Sequence, residues 1–154
     1  MGMKNFCFFL VAFSLIFASC SKGGGSTPVT PTPPSAAVAE PEIAFIVEVD
    51  TKEVDYTTYT AALSAAQPVN IKVTTAPFPK DGVTIDVTVK KDVDNSSVFS
   101  DAKVGTVAGT NPVTINNLLP GVPCTATVLV TSKTLDPVSK TYKSLSKTFK
   151  IARK

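Results

Sequence analysis

Few side chains in this chain can carry covalent chemistry. Its 154 residues contain no histidine, and its thiols are Cys7, Cys20 and Cys124. Without imidazole the chain cannot assemble Ser/His or Cys/His nucleophiles or His-based metal sites, which removes most hydrolytic mechanisms. Of the three thiols, Cys20 has neighbours that suit a reaction. Lys4 is followed by an apolar run from Phe6 to Phe17, broken only by Ser14, and the small pair Ala18 and Ser19 leads directly into Cys20. Sulfur is the one strong side-chain nucleophile that forms a stable thioether, and small neighbours leave the adjoining peptide bond open to cleavage. The apolar run falls short of the about 20 residues a membrane-spanning helix requires. It reads as an export signal that is removed.

The segment Phe17, Ala18, Ser19, Cys20 resembles the bacterial lipobox, with Phe17 where leucine is usual. The resemblance implies that a diacylglyceryl group is joined to Cys20, that residues 1–19 are cut off, and that the mature chain is held extracytoplasmically by palmitate-type acyl chains, with the outer membrane its expected place. More than one acyl chain makes such attachment effectively permanent. The alternative is an ordinary secretory signal with Cys20 left as a free thiol. Residues 20–39 form a tether of Gly23, Gly24, Gly25 and Ser26, then Pro28, Pro31, Pro33 and Pro34. Polyproline II extends about 3.1 Å per residue, so the segment after Cys20 reaches roughly 60 Å at most. Envelope lipoproteins of the Bacteroidota often carry acidic residues just after the cysteine when they are exported to the surface. Here Ser21 and Lys22 follow Cys20, which leaves surface and periplasmic faces both open.

Other chemistry is thin. Asp92, Val93, Asp94, Asn95 hints at calcium chelation but lacks the glycine and distal glutamate of a recognised loop, so a plain turn is the expectation. Asp86, Asp92 and Asp94 form no motif that would hold an acid and a base in register. Asn95, Ser96, Ser97 matches a glycosylation sequon, and Cys124, alone in the mature chain, reads as a small buried hydrophobe. Catalytic residues, metals and cofactors are therefore none by expectation. Charge is uneven, with eleven acids against five lysines over residues 40–101 and one acid against eight bases over 102–154. Interleaved strands would neutralise the two halves. The functional counterpart is a basic patch of Lys140, Lys143, Lys147, Lys150, Arg153 and Lys154, without the aromatic interleaving that nucleic acid requires.

Residues 40–154 suit one domain that needs no cross-links. Seventeen Val, seventeen Thr and six Ile make about a third of it β-branched, which favours strands. Alternation places Ile43, Phe45, Val47 and Val49 on one buried face, then Val69, Ile71 and Val73, then Val83, Ile85, Val87 and Val89, then Cys124, Ala126, Val128 and Val130. A last strand from Tyr142 to Ile151 points Phe149 and Ile151 inward, with a bulge to account for Lys147 sharing their parity. Turns are expected at Pro77–Gly82, Asp92–Ser97, Gly109–Pro112, Leu119–Pro123 and Asp136–Pro137, and an irregular link over Val54–Gln67. These elements predict an all-β fold, a single antiparallel sandwich of about seven strands.

Within it, Leu118, Leu119, Pro120, Gly121, Val122, Pro123, Cys124 resembles the corner between strands E and F of fibronectin type III domains, with Cys124 where that family carries tyrosine. The resemblance implies an immunoglobulin-like topology whose outward face shows Thr84, Asp86, Thr88, Thr125, Thr127, Leu129 and Thr131. The functional expectation is a non-enzymatic, membrane-anchored lipoprotein that presents a binding or adaptor module, with the membrane and a protein or glycan as partners and no nucleic acid. Two alternatives stand beside it. One is a carbohydrate-binding accessory of a glycan-uptake system using Tyr56, Tyr59 and Tyr142 as a platform, and the other a structural envelope or pilus component.

Overall fold

The computed structural model describes residues 35–105 and 108–154. The signal 1–19, Cys20 and the tether as far as residue 34 lie outside the described residues. Among the described residues nine strands follow in order: β1 (Phe45–Val49), β2 (Lys52–Glu53), β3 (Tyr59–Ala62), β4 (Gln67–Val73), β5 (Val83–Lys91), β6 (Ser97–Gly105), β7 (Gly109–Ile115), β8 (Pro123–Leu135) and β9 (Tyr142–Arg153). They form a four-stranded sheet ordered β2-β1-β4-β7 and a five-stranded sheet ordered β3-β9-β8-β5-β6. All pairings are antiparallel except that of β3 with β9. The residues that alternation assigned to buried faces all lie in one core between the sheets, with Phe45, Ile71, Ile85, Val128, Phe149 and Ile151 essentially inaccessible. An all-β two-sheet sandwich is what the pattern predicts, because period-two apolar strands hide their inner faces only against one another.

Four local expectations are corrected. The stretch Val54–Gln67 holds a strand, since β3 leaves the first sheet and pairs with β9 from Tyr59↔Lys150 to Ala62↔Arg153. Only Ala62 of β3 is fully buried, so its sequence offers no alternation to read. Gly109–Pro112 is the start of β7 and not a turn. Pro112 is tolerated because β7 is an edge strand, where a missing N–H costs no ladder bond. Ser97 likewise opens β6, whose pairing with β5 absorbs a bulge between Val89 and Lys90. There is no bulge at Lys147. Register runs unbroken from Thr131↔Ser144 to Pro123↔Ala152, and the irregularity falls between Thr131 and Leu135. Lys147 does share the inward parity of Phe149, and its ammonium lies 5.0 Å from the Tyr56 ring centroid and 5.3 Å from that of Phe45. Its stem covers the open margin of the sandwich while the charge meets aromatic faces.

The corner before β8 is built as the sequence suggests but pinned differently. Asn117 and Gly121 take positive φ values of 65° and 67°, Leu118 is buried in the core, and Val122 donates to the Leu119 carbonyl. Cys124 is itself core, its thiol 3.5 Å from the Val122 carbonyl, and it offers no hydroxyl to pin the corner. Burial pushes the thiol pKa above its usual value. Arg153 supplies the missing tie. Its guanidinium donates to the Leu118 carbonyl at 3.3 Å, and its own carbonyl accepts the Gly121 N–H at 3.0 Å.

Candidate functional site

The outward face of the five-stranded sheet is the broadest regular surface the strands create. Register places Val104, Thr84, Thr131 and Ser144 in one row, then Ala102, Asp86, Leu129 and Ser146, then Ser100, Thr88, Thr127 and Thr148. The expected seven residues are all there and all half-buried. β6 and β9 extend the hydroxyl grid beyond them, with neighbours about 4.8 Å apart across strands and about 6.7 Å along them. The next row, Lys90, Thr125, Lys150 and Tyr59, reaches β3.

At that row the surface carries its densest polar cluster. Asp92 stands just past the end of β5, its N–H donating to the Pro123 carbonyl. One carboxylate oxygen accepts the Thr125 hydroxyl at 2.6 Å, and the other accepts the Tyr59 hydroxyl at 2.7 Å and the Lys150 ammonium at 2.9 Å. Lys150 also donates to Thr125 Oγ1 at 2.8 Å. The Thr125 and Tyr59 hydroxyls, then the Lys150 ammonium, lower the Asp92 pKa to about 2. The same bonds raise Tyr59 and Lys150 above their ordinary values. Every shift moves away from neutrality. The cluster joins β3, β8 and β9 at a single carboxylate. Both Asp92 carboxylate oxygens are taken up by these donors, and among the described residues no three His, Cys, Asp or Glu side chains gather into one group.

The proposed basic patch is dispersed. Lys143 pairs with Glu42 and Asp136, Lys150 with Asp92, Lys147 lies over aromatic rings, and Arg153 serves the corner. Two of these pairs, Glu42 with Lys143 and Asp92 with Lys150, join the acidic first half to the basic second half, which is the interleaving the charge distribution suggested. The three tyrosines do not form a platform. Tyr56 packs against the core with its hydroxyl accepting the Val47 N–H, Tyr59 sits opposite Lys150, and Tyr142 lies eight residues away from that level along β9, about 27 Å. The chain matches no family model and no curated protein. Its surfaces therefore have to be read from their own chemistry.

An open concavity of about 450 Å³ lies beside the cluster, lined by Asp50, Lys52, Glu53, Asp55 and Tyr59 among others. Asp50 and Thr51 form the two-residue turn between β1 and β2 with φ values of 51° and 65°. A β-branched residue is strained there. Asp55 is committed within its own bend, accepting the Thr57 hydroxyl and N–H and the Thr58 hydroxyl. The sequence suggests Tyr59 for a tyrosine platform and Lys150 and Arg153 for a basic patch, whereas here they tie separate segments of the fold together. Only the lysine at an outward parity opposite Thr125 gave a signal, and it required knowing the strand register.

Proposed function

We propose that this protein is a non-enzymatic lipoprotein, fixed through Cys20 to the outer membrane, whose body is an immunoglobulin-like domain of the fibronectin type III kind acting as a binding or adaptor module. The observation that carries this reading is the two-sheet all-β sandwich with its flat, regularly spaced outward face, in which the Asp92, Tyr59, Thr125 and Lys150 side chains bond to one another and tie three strands together. The strand orders β1-β4-β7 and β9-β8-β5-β6, with the Leu118 to Gly121 corner between β7 and β8, support the topology. The hydroxyl grid is the surface offered to a protein partner, a use that needs many weak polar contacts over a flat area.

A second reading, a structural envelope component, is favoured by β6, a nine-residue edge strand onto which a neighbour's strand could be added. In-cell cross-linking followed by partner identification tests both. Cross-links from the Thr88, Thr127 and Thr148 row to a distinct envelope protein support the adaptor. Cross-links confined to β6 favour the structural component. Intact mass of the native chain tests the anchor: acyl weight on a chain beginning at Cys20 is expected, and an unmodified terminus refutes it.

A further inference from the structure

The two ends of the sandwich differ in what they expose. At the end where the chain enters the described domain, β8 and β9 run past their neighbours. Val83 of β5 pairs with Ser132, while Leu135 pairs with Tyr142 beyond it, so the hairpin projects by about three residues or 10 Å. That tip exposes Leu135 at 47%, Val138 at 57% and Tyr142 at 56% of their surfaces. Lys133 and Lys140 flank them in exposed positions. The one acid of the tip, Asp136, is turned inside and 1% exposed. Glu42, on the segment that leads in from the amino-terminal side, pairs with Lys143 at the hairpin's base. The described chain therefore enters the domain beside this hairpin. Charge at this end is balanced overall, with Lys80, Lys133, Lys140 and Lys143 against Glu40, Glu42, Asp81 and Asp136, of which Lys143 pairs with Glu42 and Asp136. The apolar trio must then supply most of any attraction, with the two exposed lysines placed to meet headgroup phosphates.

We infer that the β8–β9 hairpin docks on the phospholipid leaflet that carries the anchor, dipping Leu135, Val138 and Tyr142 into the interface. This rests on the lipoprotein reading. Each immersed side chain contributes about tenfold in partition, and a tether of roughly 60 Å raises the local concentration enough for a weak contact to be populated. Docking would aim the opposite end, with the Asp92 turn and the Leu118 corner, away from the membrane.

The test is amide hydrogen exchange on the native acylated chain in vesicles of phosphatidylethanolamine and phosphatidylglycerol, against the mature Cys20→Ser chain free in solution. Amides of 133–142 should exchange at least about tenfold slower on vesicles, while those of 92–97 stay unchanged. Combined Leu135→Ser, Val138→Ser and Tyr142→Ser should abolish the difference without shifting the melting curve. If that variant melts early, Lys133→Glu with Lys140→Glu serves instead and should reduce it. Equal exchange in both states, or protection conferred by a soluble protein and not by vesicles, overturns the inference. Failure of the anchor is separable. If intact mass shows no acyl weight, the free chain with added vesicles decides docking alone, protection at 133–142 supporting it and none overturning it.

Discussion

Asp92 and Asp136 have the same pKa of about 2 and each faces a lysine of β9, yet they are held in opposite ways. Asp136 is served first by the Val138 N–H and then by the Ser139 hydroxyl, with the Lys140 N–H closing the turn on its carbonyl. Apart from Lys143 and the Glu40 backbone, the carboxylate's partners come from the next three residues. Asp92 draws its partners from β8, β9 and β3, separated by 33, 58 and 33 positions. One carboxylate organises a turn, and the other reports that three strands have met in register. An identical titration can thus arise from local or from long-range structure, and only perturbation separates the two.

The largest effect should come from Asp136→Ala, which removes the buried carboxylate that the Val138 N–H, the Ser139 hydroxyl and Lys143 all meet. A fall in Tm of roughly 10 °C is expected, and a smaller fall than for Asp92→Ala would reverse the ranking. Next is acid. Both carboxylates have folded pKa values below the ordinary 3.8, so their stabilisation is complete above about pH 4 and is lost as pH falls toward 2. Tm followed across that window should drop, and Asp92→Asn should flatten part of the drop. Thr125→Val removes the foremost donor to Asp92 and should cost about 1 kcal/mol, allowing for solvent screening. Faster exchange at Ala61 and Ala62 would mark the loosening of β3; unchanged exchange there would show that β3 is held by its backbone ladder alone. The smallest effect should be that of salt. At about 1 M the Debye length is about 3 Å, which weakens the Asp92 to Lys150 pair and leaves the amide bonds of Asp136 intact. A Tyr59→Phe chain, lacking one ligand of the cluster, should respond to salt as the parent does.

Legibility followed the range of the interaction. The buried faces of β1, β4, β5, β8 and β9 were readable because alternation is a property of neighbouring residues. The turns at Asp136 and at Leu118 to Gly121 were readable because their residues carry their own geometry. β3 was not, since only Ala62 of its four residues is buried and its pairing with β9 joins positions as distant in sequence as Tyr59 and Lys150. The Gly109 to Pro112 stretch misled because proline signals a turn unless it lies on an edge, and edge position is a fact of sheet order. The basic residues misled in the same way, as their spacing in β9 says nothing of whether an acid, a ring or a carbonyl stands opposite.

The sequence by itself determined a β-branched body, five inward faces and two turns. Tertiary structure decided which sheet each strand joined, where Arg153 and Lys147 would be used, and that Asp92 would be a lock. The physical reason is that side-chain parity and turn chemistry are encoded within a few residues, whereas hydrogen-bond partners across a sandwich depend on register between strands that only the assembled core fixes.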